Sequence, residues 1–429
     1  MSSALPSYEQ AAALVAAYAA QLGRFAPSAE SVELGLARGR VLAKPVVADR
    51  DQPPFARSTR DGFACRAAEA STHAWLAVAG SIRAGEAPTA PLPRGAAWEI
   101  MNGAPVPIGA DAVVKFGHFE MAKGKVRLLP QRTVKQGENI VERGAQARAG
   151  DELLAVGTAI RPVQIALAAA CGYAFLEVFV RPCVAILTTG DELAPVAATP
   201  TSGLAPGQIR NSNAPMLAAM TAAAGGEPWV LPTAADTASA LDAALALAAE
   251  ADLLLISGGV SAGKFDLVES ALARAGARFH FTGIRIQPGK PLVFGEMPRS
   301  QDAASQTRGE ARGLPFFGLP GNPVSSAVTF LLFAAPVLAA LMGSRVGGPR
   351  FALARLARST DKHGKTGIMR FLPAHCDFSA AGSQFPEVEL VSAHGSGDLA
   401  ALARSNCFLV LPEEAHRLEA GVFVRILLV

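Results

Sequence analysis

Three segments of the chain share one design. VAILTTGDEL (184–193), LLLISGGVSAGK (253–264) and LPFFGLPGNPVSS (314–326) each run from unbroken apolar residues into a turn of glycine, proline and small polar residues. A strand that is apolar at every position is buried on both faces, as in a parallel sheet covered by helices. Helical periodicity fills the intervals, at residues 213–224, 238–249, 266–275 and 323–341, and KPLVFGEM adds a further short strand. Strands alternating with helices of this length predict a multidomain α/β protein. Its central unit, residues 181–345, is a mostly parallel sheet with helices on both faces.

Ligands of such sheets sit outside the C-terminal ends of the strands. The first strand delivers Thr188, Thr189, Gly190, Asp191 and Glu192 there, and a later one Ser257, Gly258, Gly259, Ser261, Gly263, Lys264 and Asp266. The next segment supplies Gln287, Pro288, Gly289, Lys290 and Pro291, and the last Pro320, Gly321, Asn322, Pro323, Ser325 and Ser326. Glycine turns expose backbone N–H groups, which bind anions. Lys264 and Lys290 would neutralise phosphate charge, and Asp191, Glu192 and Asp266 would hold a hard cation that bridges phosphates. These residues together predict a phosphate or nucleotide site with Mg²⁺.

Blander readings stand beside this one. SGGVSAGK is not a P-loop, because Phe265 occupies the Ser/Thr position, and it is not GxGxxG. Asp191-Glu192 also fits an acidic pair at a helix N-terminus, and Asp236 reads first as an N-cap. Asn213 reads as a cap of its helix. The serines have no neighbouring histidine and no GxSxG frame, so the chemistry would run by positioning and metal electrostatics.

Outside residues 181–345 the texture changes. Residues 7–22 and 29–40 read as helices, and 160–170 as a helix opened by Arg161-Pro162. Glycine and proline alternate with short apolar pieces from 75 to 141, which predicts an all-β domain. Two stiff loops belong to it: DQPPFARSTRDGFA (51–64) and MNGAPVPIGADAVV (101–114), either specific loops or structural turns. After about residue 347 the chain is short strands, predicting a small β-barrel or sandwich. HGSGDLAALARSNC (394–407) holds an anion or, preferably, starts a helix, with His394 a surface or capping residue. Residues 299–312 form a polar stretch with no apolar period, read as a surface loop.

Composition removes other classes. Charged residues make up 17% of the chain and the net charge is +3, which gives no case for nucleic acid or a membrane surface. Five scattered cysteines, at 65, 171, 183, 376 and 407, argue against a disulfide framework and a zinc knuckle. No stretch reads as membrane-spanning and the N-terminus lacks a basic start, so a soluble, cytoplasmic protein is expected.

The motifs PPFARSTRDGFA, MNGAPVPIGADAVV, GENIVERG, VAILTTGDEL, GQIRNSN, SGGVSAGKFD, PGKP, GLPGNPVS and GSGDLAALARSN stand in order along nearly the whole chain. Each is weak alone. Together the set resembles the molybdopterin molybdenumtransferase family, of the MoeA and gephyrin E-domain type. The resemblance implies insertion of molybdate into adenylylated molybdopterin, with Mg²⁺-dependent hydrolysis of the adenylate and release of AMP. It implies four parts: a split helical domain (1–50 with 142–180), the β domain (51–141), the α/β domain (181–345) and a C-terminal β-barrel (346–429). Asp61 and Asn102 would face the reaction centre from the β domain. Glu192, Asp236 and Asp266 would be the acidic residues for cation and substrate, with Asp191 beside them. The glycine turns, with Pro288, Gly289, Lys290 and Pro320 to Ser325, would hold the pterin and the metal oxyanion.

A homodimer is implied, with the β-domain loop of one subunit facing the α/β domain of the other. The molybdopterin adenylyltransferase and molybdoenzyme-maturation proteins would be further partners. The chain departs from the family pattern at Arg60 (usually Met), Asn102 (often Thr) and Phe63 (often Tyr), and none of these removes an expected carboxylate. The competing readings are a molybdopterin adenylyltransferase, whose fold resembles the α/β domain alone, and a non-catalytic molybdopterin-binding scaffold. A general nucleotide hydrolase or dehydrogenase is weakened by the missing P-loop and GxGxxG.

Overall fold

The computed structural model describes residues 5–23, 27–197, 203–259, 267–299, 313–345, 347–360, 367–379, 385–413 and 417–429. Ser261, Gly263, Lys264, Asp266 and most of the polar 299–312 stretch lie outside the described residues.

The α/β unit is built on a six-stranded sheet. Its order is Glu227–Val230, Cys183–Thr188, Leu253–Ser257, Leu314–Leu319, Val293–Met297, Arg278–Thr282. The first four strands are mutually parallel, and Val293–Met297 runs antiparallel to both of its neighbours, Leu314–Leu319 and Arg278–Thr282. Successive side chains of a strand point to opposite faces. Val184, Ile186, Leu253, Leu255, Phe317 and Leu319 therefore enter one core with Leu217, Phe330, Phe333 and Leu338. Ala185, Leu187, Leu254, Ile256 and Phe316 enter the other, with Leu241, Leu245, Val268 and Leu272. The mostly parallel, helix-covered sheet expected from the apolar runs is thus observed. Its edge strands were not legible: Glu227–Val230 carries Pro228, which suits only a sheet edge.

The first helix, Tyr8–Leu22, is opened by a capping box in which Ser7 Oγ accepts from the Gln10 N–H while Gln10 Oε1 accepts from the Ser7 N–H. Tyr8, Ala11, Val15, Tyr18 and Leu22 repeat at helical spacing and bury themselves in the α/β core against Phe294 and Phe333. The helical segment 323–341 is a core element. It is long and apolar enough to cross a membrane, but most of it is buried inside the protein. A π-turn at Phe330–Ala334 divides it just before Pro336, whose missing N–H breaks the regular ladder.

Residues 29–40, expected as a helix, are instead the strand Ala29–Glu33 and a 3₁₀ turn Leu34–Leu36. The strand pairs over five residues with Phe175–Phe179, and that long-range partner overrides local helix propensity. Val46–Val47 pairs with Glu152–Leu154, and Gln52 bridges to Ala147, so the chain enters and leaves the β domain at neighbouring points. The helix after Arg161 is Pro162–Ala170, with proline in its first turn.

The β domain is a six-stranded sheet in the order Ala112–Lys115, Gly62–Cys65, Ala96–Ile100, Leu76–Ile82, Lys125–Leu128, Phe119–Ala122. At the C-terminal end, five strands close into a barrel. Met369–Asp377 pairs with Glu387–Leu390, which leads through Phe351–Leu356, Phe423–Leu428 and Cys407–Leu411 back to Met369–Asp377. Cys407, Leu409 and Leu411 fill the barrel, while Phe408 and Val410 on the other face join the α/β core. A two-residue strand from the α/β unit, Ile286–Gln287, extends the barrel sheet by pairing with Met369 and Arg370.

Candidate functional site

The parallel strands end side by side, and at Gly258 the turns lie close enough that only glycine fits. A Cβ on Gly258 would sit 2.4 Å from the Thr189 carbonyl oxygen, and Gly258 itself has φ +100°. A Cβ on Gly321 would reach the Gly258 Cα at 3.6 Å. The Thr189 N–H donates to the Ser257 carbonyl (3.1 Å) and the Gly258 N–H to the Leu319 carbonyl (3.4 Å). Three predicted turns therefore form one continuous lip: Thr189–Glu192, Ser257–Gly259 and Pro320–Asn322.

One end of the lip is acidic. Asp236 Oδ1 accepts from the Thr189 hydroxyl at 2.6 Å, and the Asp236 N–H donates to Asp191 Oδ1 at 3.1 Å. The Glu192 carboxylate folds over Gly190, within 2.8 Å of where a Cβ would be. Asp191, Glu192 and Asp236 are all exposed. Two expectations are corrected here. The cap of helix Ala238–Ala248 is Thr237, whose hydroxyl accepts from the Ala240 N–H, so Asp236 is released to face the first strand. Asp191-Glu192 does not open a helix: the chain continues as the strand Leu193–Ala194, paired with Ile209–Arg210. Among the described residues, no three His, Cys, Asp or Glu side chains gather as a metal cage.

At the other end the turns Ser257–Gly259 and Pro320–Asn322 carry donors and no carboxylate of their own. Asn322 Nδ2 donates to Ser396 Oγ at 2.7 Å, and the Val324 N–H to the Ser396 carbonyl at 3.1 Å, so the HGSGD loop of the barrel closes on the GNP turn. That loop does start a helix, Leu399–Ala403, capped by Asp398. The N–H groups of Ala401 and His394 hold the Asp398 carboxyl below the ordinary carboxylate range. Ser325 is buried in the first turn of Pro323–Thr329, and the Ser326 hydroxyl donates to the Pro320 carbonyl. Gln287, Pro288, Gly289 and Lys290 form the loop after Ile286, with a cis Gln287–Pro288 bond. Gly289 is packed against Thr329 and Ile286, and Lys290 is exposed. The pairing of Gln287 with Arg370 brings that arginine to the same seam.

Two contributors were missed by sequence reasoning. Ser396 was passed over in favour of a structural role for its loop. Asn213 was taken for a cap, but it is the first residue of Asn213–Ala223, and its amide reaches Ser257 Oγ (2.8 Å) and the Gly321 carbonyl (2.6 Å). The repeated Asn in RNSN was the available signal.

Asp61 and Asn102 lie together on the β domain. Asp61 Oδ1 accepts from the Asn102 N–H at 2.7 Å, and both residues are exposed. The two loops that carry them are laced by Ser58 N–H to Ala104 O, Gly103 N–H to Ser58 O and Val106 N–H to Ala56 O. Gly62 must be glycine, since its Cβ would lie 2.0 Å from the Val114 carbonyl oxygen. Asp61 and Asn102 bond to each other, and among the described residues neither bonds to the strand ends of the α/β sheet.

Comparison with known proteins fits these parts. The model of the MoeA N-terminal region (domains I and II) matches residues 6–172. That of a probable molybdopterin-binding domain matches 185–340, and that of the MoeA C-terminal region (domain IV) matches 354–429. A molybdopterin molybdenumtransferase of Nostoc sp. is 34% identical over 93% of this chain and 88% of the relative. Molybdopterin molybdenumtransferase 2 of Mycobacterium tuberculosis is 35% identical over 92% and 94%. The crystal structure of a molybdopterin biosynthesis MoeA protein from Pyrococcus horikoshii superposes with a TM-score of 0.78 at 28% identity, covering 99% of this chain and all of that one.

Proposed function

The chain belongs to the molybdopterin molybdenumtransferase family, and we propose that it inserts molybdate into adenylylated molybdopterin, hydrolysing the adenylate and releasing AMP. It is an enzyme of molybdenum-cofactor synthesis. One observation carries the finer reading: a single sheet edge joins an acidic end, Asp191, Glu192 and Asp236, to donor-rich turns free of carboxylates, Ser257–Gly259 and Pro320–Asn322. A tetrahedral oxyanion is repelled by carboxylates and attracted by N–H and O–H donors, so the two ends suit the two halves of the reaction.

Mg²⁺ fits the acidic end by donor chemistry. It is usually held by one or two carboxylates together with substrate phosphates rather than by a full protein cage. Asp191 and Asp236, already linked to each other, would hold it with Glu192 and, by the resemblance, Asp266. When bound there, Mg²⁺ would neutralise charge on the adenylate phosphate as its anhydride bond breaks. Thr189 keeps Asp236 turned toward the strand end, and those N–H groups of the glycine turns not already spent on backbone carbonyls would hold anionic oxygens in place. Asn322, tied to Ser396, fixes the turn on which molybdate would rest.

Asp61 and Asn102 would act from the partner copy of a homodimer, their exposed β-domain loops completing the site across the subunit interface. The setting we assign is cytoplasmic, with the adenylyltransferase upstream and molybdoenzyme-maturation proteins downstream.

The test is to incubate purified protein with adenylylated molybdopterin, Mg²⁺ and molybdate, and to follow AMP release and formation of active cofactor. Molybdate-stimulated AMP release with active cofactor is expected. Tight adenylate binding with no release under any metal or oxyanion would refute the reading and leave a binding scaffold.

A further inference from the structure

Asn213 joins two of the three turns, and its hydrogen bonds can be assigned without ambiguity. A carbonyl oxygen only accepts, so the atom 2.6 Å from the Gly321 carbonyl is the amide NH₂, which fixes the orientation of the side chain. The same nitrogen donates to Ser257 Oγ. Both amide protons are then spent. Ser257 acts as acceptor toward Asn213, and its own proton has no acceptor among the described residues.

Asn211, two residues earlier, makes a useful contrast. Its Nδ2 donates to Thr188 Oγ1 (2.8 Å) and Thr233 Oγ1 (3.2 Å), and its Oδ1 accepts from the Ala214 N–H (3.1 Å), so the whole amide is used. Asn213 Oδ1 is buried without a partner. Buried polar atoms in native proteins are rarely left so, and the exceptions gather at functional sites. Asn211 fastens the first strand, whereas Asn213 leaves a hydroxyl proton unspent beside the glycine turns.

The geometry points to Asn213 as a positioning residue: by occupying the acceptor side of Ser257 it aims the Ser257 O–H at a tetrahedral oxyanion, and it holds the Gly321 turn against the same ligand. This rests on the transferase reading only in naming the oxyanion, which is either the adenylate phosphate or molybdate.

The isosteric variant Asn213→Asp tests it. A carboxylate cannot donate to Ser257. It would take the Ser257 proton instead and reverse the bond. Binding of AMP alone and of molybdate alone to the full chain is measured by calorimetry for wild type, N213D, N213A, S257A and the double variants. The arm that responds, AMP or molybdate, identifies the oxyanion. N213D is expected to weaken that arm about 30-fold and N213A about 3-fold. In the S257A background, N213D should add less than about 3-fold, because the proton it captures is gone. The same N213D penalty in both backgrounds would mean direct charge repulsion and would overturn the proposal. So would wild type binding neither probe. Should N213D fail to fold, N213A and N213S measured against S257A read the same coupling. Wild-type binding without turnover would refute the transferase reading and leave this one standing, whereas turnover with additive variants would refute this one alone.

Discussion

Replacing Asp61 by asparagine separates the loop-holding bond that the structure shows for this side chain from the catalytic role proposed for it. Its Oδ1 accepts the Asn102 N–H at 2.7 Å and so helps pin the second β-domain loop. Asparagine keeps an acceptor at that atom and loses only the charge. A net hydrogen bond of this kind contributes about 0.5–1.5 kcal/mol, at the low end for an exposed pair. D61N should therefore unfold in urea within about 0.5 kcal/mol of wild type, while D61A should lose about 1 kcal/mol. Activity should behave differently. A carboxylate that takes or gives a proton, or that stabilises developing charge, contributes about 10²- to 10⁴-fold. D61N should then release AMP at least about 100-fold more slowly with its loop intact. Turnover by D61N within about 3-fold of wild type, with D61A strongly impaired, would show that Asp61 serves only to hold the loop, and the catalytic assignment would fall.

Three further outcomes are expected. Gly62→Ala should cost about 3 kcal/mol or more in urea unfolding, because its Cβ would overlap the Val114 backbone oxygen and the sheet has no flexible atom there to give way. Burial pushes the Cys65 and Cys407 thiols from 9.0 up to about 12, so the stability they provide is complete below pH 9 and is lost as pH rises toward 12. Measured from pH 8 to 11, C407A should flatten that alkaline decline, and an unchanged slope would count against it. Chelation by EDTA should abolish AMP release and leave the melting temperature unchanged, since no metal cage among the described residues supports the fold; a large drop in melting temperature would contradict this.

What the sequence made legible was mostly local. The three turns could be read because each follows its own strand within a dozen residues, and the sheet places consecutive strand ends on one edge. The pairing of Ala29–Glu33 with Phe175–Phe179 could not, since nothing in either segment names a partner that lies most of two domains away along the chain, and helix propensity prevailed in the reading. The cap readings of Asp236 and Asn213 failed for a different reason. Both stand at helix starts, where Asp and Asn are commonly caps. In the fold a neighbour, Thr237, takes the first cap, and the Ser257 and Gly321 ends draw the second amide away. A role that depends on which turn lies opposite is set by tertiary contacts, so single-residue preferences misassign it.

The first helix has a consequence for the order in which the protein is made. Tyr8–Leu22 emerges from the ribosome well before its seat, which is built from Phe294, Phe333 and Leu338, roughly 300 residues downstream. At about 5–20 residues per second, that interval is on the order of 15 to 60 s. A 15-residue helix is barely stable in water alone, so during synthesis its tyrosines and aliphatic stripe wait without a core to enter. The α/β core can close over its last helix only when this earlier segment returns to cover it. The nascent chain therefore carries an unsatisfied apolar segment until roughly 300 further residues have been made.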